Sequence, residues 1–329
     1  MKNLIYFGYY LKITNWGRLW FDMNYVAKKY GKSKFKMCAE LLYLSLKNGS
    51  SFNEYFYYEF WHKSNEDINK YATMGFMYAY QKRNNPLKTR VILSDKIKFF
   101  EEYSDFIGRK WLKIFEVDDT TIEEFIMGKD KVVLKGSTGG GGKNVRIVDL
   151  VNLSVLEIKA IAREYNYNIM EEYVYQHESL RLLAPNSLNT IRVITQYTNG
   201  NVEIIGTILR MGVDKNTDNL SSGGLACNVD IQTGIINTEG VSFDITKIDS
   251  PCHPLSGIEF VGFQIPMWDQ VKSICDRVAK YHPENKSVGW DIAITNDGPI
   301  VIEGNHDWGA RLWQMPLGCG QKYKLAKYL

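Results

Sequence analysis

The sequence predicts an α+β fold in which a helical N-terminal part precedes a region of mixed helices and strands. Over the first 110 residues, apolar side chains recur at intervals of three and four with few glycines or prolines, which is typical of amphipathic helices. After the turn signal Asn84-Asn85-Pro86, short β-branched runs alternate with helical segments. From Asn189 onward, apolar runs flank tight-turn sequences, which predicts antiparallel strands.

The helical N-terminal part, which we place at residues 1–93, is rich in aromatic side chains. Of the 44 Phe, Trp and Tyr residues, 26 lie in the first 110 positions. Two structures fit this pattern: a helical subdomain with an aromatic core, and an exposed aromatic and basic surface that contacts a membrane or a partner. We favour the aromatic core and keep the exposed surface as the alternative.

Strands and helices in the rest of the chain can be placed from their flanking turns. Asn199-Gly200 is the strongest short hairpin signal, and Asn296-Asp297-Gly298 marks a second hairpin. The predicted strands are residues 132–135, 144–148, 168–174, 191–198, 202–211, 290–295 and 300–305. The predicted helices are residues 156–164 and 266–280.

The composition argues against several classes of protein. The chain has 329 residues with 40 basic and 37 acidic side chains, and this net charge of +3 is too small for a dedicated nucleic-acid-binding protein. No apolar stretch approaches the roughly 18 residues that span a bilayer. The five cysteines are an odd number without a C-x-x-C pair, unlike a disulfide framework or a structural zinc site. These features predict a cytoplasmic protein with reduced thiols.

A glycine-rich segment at residues 135–143 has the composition of a phosphate-binding loop. Its members are Lys135, Gly136, Ser137, Thr138, Gly139, Gly140, Gly141, Gly142 and Lys143. Successive glycines let backbone N–H groups approach an anion, and the lysines add positive charge. The segment matches neither a Walker A loop nor the G-x-G-x-x-G pattern. Because it joins two predicted strands, we interpret it as a flap over a nucleotide, with a flexible linker as the alternative.

A second group of candidate residues lies in the last predicted hairpin. A three-residue loop there pairs Thr295 with Pro299 and, two residues at a time, places Asp291 opposite Glu303. Asn305 is two residues further along the same strand, so all three polar side chains project from one face. Oxygen ligands on adjacent strands suit Mg²⁺. Polar side chains on a solvated sheet face are the alternative.

Weaker signals come from the central strands and from an acidic pair. In a hairpin without a bulge, Arg192 lies opposite Thr207 and is out of phase with Arg210. Either a β-bulge re-aims one arginine or the two serve different faces of the sheet. The acidic pair Glu171-Glu172 follows a predicted strand, and alone it is typical of a solvated surface.

Taken in chain order, these segments resemble the ATP-grasp ligases. The resemblance extends over residues 94–305 and rests on an ordered set of short motifs, of which no single one is decisive. The motifs are Ser94-Asp95-Lys96, the loop at Lys135, Glu171-Glu172-Tyr173-Val174, Asn189-Thr190 with Arg192, then Arg210, residues 218–224, and Trp290-Asp291 with Glu303 and Asn305. The last two blocks resemble the branch with the glutamate-adding ligases. The aromatic helical N-terminus resembles the sugar-transfer-associated ATP-grasp proteins of surface-polysaccharide loci.

The resemblance implies two α+β lobes that clasp ATP, a small lobe at residues 94–175 and a large lobe at 176–329. Lys96 and Lys135 would hold the α- and β-phosphates. The flap would cover the β- and γ-phosphates with Ser137, Thr138, Gly139, Gly140, Gly141, Gly142 and Lys143. The adenine would contact Glu171 or Glu172 and the backbone of Tyr173 and Val174, and the ribose would contact Glu178.

The resemblance also implies a metal site and an acceptor site. Asp291, Glu303 and Asn305 would bind Mg²⁺, with Mn²⁺ as a substitute. The γ-phosphate and the acceptor carboxylate would be oriented by Arg192, Arg210, Asn219, Gly223 and Gly224. The usual N-terminal α/β domain of the family is not visible in residues 1–90, so the segment that forms the acceptor site stays open.

The implied reaction is ATP-dependent carboxylate–amine ligation through an acyl phosphate. It would join an amino acid or amine to a uronic acid in surface or capsular polysaccharide biosynthesis. The alternatives are a kinase on the same scaffold and a non-catalytic nucleotide-binding subunit of a glycan-assembly complex. The expected partners are a small-molecule or glycan carboxylate and an amine, without nucleic acid or a transmembrane segment. Peripheral contact with the inner face of the membrane and the oligomeric state stay open.

Overall fold

Two antiparallel sheets and a block of N-terminal helices form the architecture of this chain. The computed structural model describes residues 2–139, 144–213, 218, 220, 223–247 and 249–329. The helices are α1 Lys2–Ile13, α2 Trp16–Tyr30, α3 Lys34–Asn48, α4 Phe52–Tyr57, α5 Asn65–Asn69, α6 Met74–Asn84, α7 Val91–Ser94, α8 Lys96–Glu102, α9 Ser104–Ile107, α10 Asp119–Ile126, α11 Val155–Glu164, α12 Glu178–Leu183, α13 Trp268–Tyr281, α14 Ala310–Leu317 and α15 Lys322–Ala326. The strands are β1 Trp111–Lys113, β2 Lys131–Lys135, β3 Val145–Asp149, β4 Ile169–Glu172, β5 Thr190–Thr198, β6 Asn201–Met211, β7 Leu225–Asn228, β8 Ser287–Thr295 and β9 Gly298–Asn305. The predicted α+β class with an N-terminal helical part is confirmed.

Capping residues set the ends of helices α2 and α3. Asn15 and Ser33 precede the two helices, and their side-chain oxygens accept hydrogen bonds from backbone N–H groups of the first turn. Gly31 and Gly49 follow the helices with φ of 65° and 63°, a left-handed conformation that strains residues with a Cβ. Local sequence therefore fixes both helices before any packing is considered.

The N-terminal helices enclose an aromatic core, as the favoured interpretation predicts. Tyr10, Tyr55 and Phe56 are almost completely buried there. Other aromatic side chains of helices α2 and α3, among them Trp20 and Phe35, are exposed instead. Different faces of the same helices therefore form a core and present aromatic side chains to solvent.

The smaller sheet has the strand order β1-β4-β2-β3, and all its pairs are antiparallel. Helices α10 and α11 pack against it, and Ile122, Leu134, Ile158 and Met170 are fully buried in the shared core. The turn between β2 and β3 contains the glycine-rich segment. The predicted strand–loop–strand arrangement therefore holds for the described residues on either side of the segment.

The larger sheet has the strand order β7-β6-β5-β8-β9 and is also antiparallel. Helix α13 packs against one face, where Trp290 and Ile292 of β8 join Val271 and Cys275 in a buried cluster. Because side chains alternate along a strand, Asp291 faces the opposite side of the sheet. That opposite side carries the polar residues of the candidate site.

The last helices pack against the N-terminal part of the chain. Gln314 in α14 donates to the carbonyl of Ala72 (3.1 Å) and to Tyr58 Oη (3.0 Å) and accepts from the Ala72 N–H (2.8 Å). A Cβ on Gly320 would lie 2.2 Å from the carbonyl carbon of Lys70, so this close approach requires glycine. The lobe boundaries at residues 93/94 and 175/176 stay predictions.

Two expectations from composition can be compared with the structure. The five cysteines are free thiols, as the absence of paired spacing predicts. Across the described ranges, no helix combines the length and apolar character needed to cross a membrane.

Candidate functional site

A β-bulge brings the two central arginines onto one face of the larger sheet. The pairing of β5 with β6 shifts by one residue between Ile194 and Thr195, and this shift places Arg210 opposite Thr190. Thr190 and Arg192 are two residues apart in β5 and therefore share a face. The bulge was one of the two arrangements left open by the sequence, and it directs both arginines into one site.

The β8–β9 hairpin has the predicted pairing of Asp291 with Glu303, but its turn differs from the prediction. Its turn has two residues, so Ile294 pairs with Pro299 and the predicted pairing of Thr295 with Pro299 is wrong. A bulge next to Asp291 then adds one residue to β9 and places Asp291 opposite Glu303. The predicted Asp291–Glu303 pairing is correct because the two one-residue shifts cancel.

Asp291 is the centre of a buried network of charges. Both of its oxygens accept from Arg192, and Oδ2 also accepts from Arg210 Nη1 (2.7 Å). Arg210 donates in addition to Asp218 (2.9 Å), which also accepts from the Thr190 N–H (3.1 Å). Burial alone would raise the pKa of Asp291, but the two guanidinium groups outweigh it and hold that pKa well below its ordinary value. The network fixes both arginines on this face of the sheet.

Glu303 lies beside this network without a cation of its own. Among the described residues, its only hydrogen-bond partner is Asn305, whose Nδ2 donates to Oε1 (3.2 Å), and no basic side chain is within ion-pair distance. Burial and repulsion from Asp291 raise the pKa of Glu303 above its ordinary value. Among the described residues, the Glu303 carboxylate therefore has no ion-pair partner to neutralise its charge.

Glu303 and Asn305 fit a magnesium site, whereas Asp291, the third expected ligand, does not. Glu303 and Asn305 offer oxygen ligands, whereas both oxygens of Asp291 are already engaged by arginines. In the described part of the chain, no three His, Cys, Asp or Glu side chains are gathered to hold a metal ion. Mg²⁺ commonly uses one or two carboxylates and completes its shell with water and substrate phosphates. A magnesium ion here would therefore depend on the phosphates of a bound nucleotide.

Lys135 at the end of β2 is held by a buried ion pair with Glu171 of β4. Lys135 Nζ lies 2.7 Å from Glu171 Oε1, and Arg109 Nε donates to the other oxygen (2.8 Å). Burial lowers the pKa of Lys135 to about 8, and the Glu171 charge opposes this shift. Burial would raise the pKa of Glu171, but the charges of Arg109 and Lys135 lower it overall. Both oxygens of Glu171 are therefore engaged by basic side chains, and its expected contact with the adenine stays a prediction.

The start of the glycine-rich segment is fixed by contacts to neighbouring elements. The Ser137 N–H donates to Asn168 Oδ1 (2.8 Å), and the Ser137 carbonyl accepts from the Lys96 N–H (2.9 Å). Lys96 Nζ donates to the carbonyl of Gly139 (2.6 Å), and Thr138 is exposed between the two contacts. The remaining flap residues of the prediction, Gly140, Gly141, Gly142 and Lys143, lie outside the described residues.

A cavity of about 190 Å³ lies between the two sheets, and we call it the hinge cavity. Lys135 and Glu171 line it from the smaller sheet, and Arg210, Asp291 and Glu303 line it from the larger sheet. Apolar side chains and the segment that crosses between the sheets contribute Val133, Val145, Ile147, Tyr173, Val174 and Ile302. The other lining residues are mostly polar or charged: Lys96, Arg109, Gly139, Asn144, Glu172, Asn186, Ser187, Leu188, Thr190 and Asp218. A cavity lined by both apolar and charged side chains suits a molecule with a flat ring and an anionic tail.

A second cavity of about 410 Å³ adjoins the first, and we call it the outer cavity. The two cavities share Lys96, Gly139, Arg210 and Glu303. The outer cavity is also lined by Leu93, Ser94, Phe99, Arg192, Leu220, Phe243, Asn305, His306, Asp307, Trp308, Gly309, Arg311 and Leu312. The shared residues therefore form a junction between the two cavities.

Some predicted residues lie away from this junction, and Ser137 and Thr138 of the glycine-rich segment line neither cavity. Glu172 lines the hinge cavity, but its Oε2 accepts from the Lys110 N–H (2.8 Å). Glu178 is exposed and lines a separate cavity beyond Tyr173 and Val174. Gly223 (φ 98°) and Gly224 precede β7 without lining the hinge or the outer cavity, and Asn219 lies outside the described residues.

Sequence reasoning missed two arginines of the site. Arg109 bridges the sheets, since it binds Glu171 and also donates to the carbonyls of Val301 (3.0 Å) and Ile302 (3.3 Å). Arg311 is the second residue of helix α14, and among the described residues its guanidinium has no hydrogen-bond or ion-pair partner. Each is an isolated arginine in the sequence, and no local pattern marks its distant neighbours.

The lowered pKa of Lys135 predicts a pH dependence for anion binding in the hinge cavity. The folded protein loses the positive charge of Lys135 as the pH rises through about 8. We expect the dissociation constant for ADP to increase above that pH, by up to about tenfold per pH unit. Isothermal titration calorimetry between neutral and alkaline pH measures this slope. Lys135→Met should bind weakly with no such slope, and a slope retained in this variant would contradict the assignment.

The chain is similar to a family of known proteins and to several solved structures. A family model described as sugar-transfer associated ATP-grasp matches residues 76–328. Similar solved structures include the ATP-grasp ligase PsnB complexed with minimal precursor (14% identity, TM-score 0.44, covering 78% of this chain and 69% of that chain). Others are D-alanyl-alanine synthetase A from Vibrio cholerae (12%, 0.41, 66% and 56%) and L-amino acid ligase from Bacillus licheniformis (11%, 0.40, 71% and 46%).

No protein with a curated description matches the chain. The chain spans about half of the synthetase and of the amino acid ligase, and the low identities limit these likenesses to the fold. The family model, by contrast, covers most of the chain, including both sheets and every residue of the junction. The chain therefore belongs to the sugar-transfer associated ATP-grasp family.

Proposed function

We propose that this protein is an ATP-dependent carboxylate–amine ligase that forms an amide through an acyl phosphate. The observation that carries the proposal is the junction of the two cavities at Lys96, Gly139, Arg210 and Glu303. A nucleotide in the hinge cavity would extend its phosphates to this junction, next to an acceptor in the outer cavity. Reaction between two anions needs such a meeting point lined by positive charge.

The hinge cavity supports ATP as the substrate on that side. Its apolar side chains and the backbone of Tyr173 and Val174 would contact the adenine, and Lys135 would hold the α- and β-phosphates. Lys96 lies at the junction, where it would contact the phosphates from the opposite side. A magnesium ion would be held by Glu303 and Asn305, and it would supply charge neutralisation for the phosphates of the nucleotide.

The outer cavity supports an acidic acceptor. Arg192, Arg210 and Arg311 line it, and Arg311 lies over the rings of Tyr57 (5.1 Å) and Phe243 (5.3 Å). The stacked guanidinium is held in place by the rings while its N–H donors stay available to a carboxylate. Tyr57 belongs to the helical N-terminal part, so this part would help to form the acceptor site.

The chemistry would proceed in two transfers. A carboxylate oxygen of the acceptor attacks the γ-phosphorus, the bond to the bridging oxygen of ADP breaks, and ADP leaves. The amine nitrogen then attacks the acyl carbon, the carbon–oxygen bond to phosphate breaks, and phosphate leaves with that oxygen. The amine loses its proton to solvent. Positioning and charge neutralisation by the lysines and arginines supply the catalysis.

We propose a uronic acid as the carboxylate and an amino acid or amine as the nucleophile, in surface or capsular polysaccharide biosynthesis. The sugar-transfer association in the family description supports a glycan acceptor, and a cavity of about 410 Å³ would accommodate a sugar ring. A reaction that consumes ATP fits the predicted cytoplasmic location.

Changing Arg311 to Gln is expected to weaken acceptor binding without affecting the nucleotide. Loss of a charge-assisted pair should raise the acceptor KM by about 10- to 100-fold, while the Kd for ADP stays unchanged. Steady-state kinetics with a pool of uronic acids measures the first quantity, and calorimetry measures the second. Arg277→Gln is the matched control, because Arg277 also lies over an aromatic ring (Phe106, 5.8 Å) but lines neither cavity. Equal KM values for the two variants would remove Arg311 from the acceptor site.

Phosphorus NMR during turnover of Mg·ATP tests the proposed function. We expect ADP and free phosphate to appear only when a pool of uronic acids and a pool of amino acids are both present. A new phosphate-ester signal that needs no amine would instead identify a kinase acting on a hydroxyl group.

A further inference from the structure

The first three helices differ in charge from the rest of the protein. Residues 2–48 contain nine basic and two acidic side chains, a formal charge of +7, whereas the whole chain carries only +3. The basic residues are Lys2, Lys12, Arg18, Lys28, Lys29, Lys32, Lys34, Lys36 and Lys47. Helices α1–α3 are therefore a strongly positive part of a nearly neutral protein.

The same helices expose an unusual number of large apolar side chains. Phe35 is 86% exposed, Ile5 69% and Trp20 57%. The others above two-fifths exposure are Leu4, Tyr9, Leu11, Ile13, Trp16, Phe21, Leu42, Tyr43 and Leu46. Scattered apolar residues are normal on a surface, but twelve within three helices form a concentration that water solvates poorly.

These side chains lie on outward faces of the helices, and among them the Trp16 ring also contacts Phe52 of the aromatic core, with ring centroids 5.8 Å apart. In helix α2, Leu19, Met23 and Val26 face the core, while Trp16, Trp20 and the exposed Lys28 follow each other at helical spacing on another side. Lys34 at the start of α3 lies over the Trp20 ring (5.0 Å). Basic and aromatic groups therefore share the outward surface of the helices.

We propose that helices α1–α3 dock onto a membrane surface that contains anionic lipid. Tryptophan and tyrosine favour the boundary between headgroups and acyl chains, because each has an apolar body and a polar group. Lysines place their charge among the lipid phosphates while their stems cover apolar surface. The near absence of acidic residues from these helices selects anionic over neutral lipid. This proposal does not depend on the proposed ligase activity.

Vesicle sedimentation of the full chain tests the proposal. We expect binding to vesicles of two parts phosphatidylcholine to one part phosphatidylglycerol, and much weaker binding to phosphatidylcholine alone. High salt should release the protein, because part of the attraction is electrostatic. Failure to bind the anionic vesicles, or equal binding to both compositions, would overturn the proposal.

Variants with matched controls distinguish binding through helices α1–α3 from non-specific association of the protein with vesicles. Lys12→Gln with Lys28→Gln should weaken binding about 25-fold, at about fivefold for each lysine. The control pair is Lys88→Gln with Lys286→Gln, which changes two exposed lysines outside helices α1–α3 and should have no effect. Equal losses in the two pairs would contradict a localised surface.

An apolar pair of variants tests insertion into the lipid. Trp20→Ser with Phe35→Ser should weaken binding by about 100-fold. Its control is Val151→Ser with Leu156→Ser, two side chains of the smaller-sheet region with 75% and 69% exposure. Light scattering without lipid gives a second reading. If the wild-type protein and the control variant are dimers but the Trp20→Ser/Phe35→Ser variant is a monomer, this surface binds another copy of the chain. That result would overturn the proposal.

Discussion

Replacing Glu303 with alanine is expected to reduce turnover by a factor on the order of 10²–10³ while leaving the fold intact. Glu303 is the carboxylate at the junction of the cavities that lacks a cation, so it would hold the magnesium ion there. Losing one group that stabilises charge in a transition state commonly costs that much in kcat. Release of phosphate from Mg·ATP in the presence of both substrate pools measures the effect.

Stability should not fall in this variant. The pKa of Glu303 is raised in the folded protein by burial and by repulsion from Asp291, so the charged carboxylate opposes folding above that pKa. Removing it should leave Tm unchanged or slightly higher at neutral pH. Glu203→Ala is the control, because it removes a carboxylate of the larger sheet that pairs with Lys327 at the surface. A well-folded Glu303→Ala protein with the wild-type rate would refute the metal assignment.

Changing Lys135 to Met is expected to weaken nucleotide binding by about 30-fold or more. The lysine is buried, and a bound phosphate would lose a desolvated charge partner, which is among the costliest losses at an interface. Methionine fills similar space without a charge. Calorimetric titration with ADP at neutral pH, where wild-type Lys135 is charged, gives the ratio of the two dissociation constants.

Two comparisons show whether the loss is specific. Glu171 keeps its pair with Arg109 in the variant, so the smaller sheet should stay folded by circular dichroism. Lys159→Met is the matched control, since Lys159 lies in helix α11, pairs with Asp119 and lines neither cavity. If Lys135→Met binds ADP as tightly as this control does, Lys135 is not part of the nucleotide site.

The sequence allowed strand pairing to be predicted where turn chemistry was informative. Asn199-Gly200 placed the β5–β6 hairpin correctly, but the position of its bulge depends on packing across three strands and has no local signal. The β8–β9 turn was assigned one residue too long, and only a compensating bulge kept Asp291 opposite Glu303. Faces of strands were therefore easier to predict than their register.

Long-range contacts between side chains of the site were beyond sequence reasoning. Arg109 and Glu171 are 62 positions apart and lie in no common motif, so nothing in the sequence pairs them. Glu171 pairs with both Arg109 and Lys135, and its expected contact with the adenine stays a prediction. Residues at helical spacing in the N-terminal part predicted its helices, but composition could not decide which aromatic faces would be buried.

The origin of the oxygen in the released phosphate tests the central claim most directly. Uronic acids labelled with ¹⁸O in the carboxylate are supplied with Mg·ATP and the amino acid pool, and the phosphate is examined by phosphorus NMR. A ligase that forms an acyl phosphate transfers one carboxylate oxygen to each phosphate it releases. If unlabelled phosphate is instead released at the rate at which ADP forms, water attacks ATP directly. That result would contradict the proposed reaction.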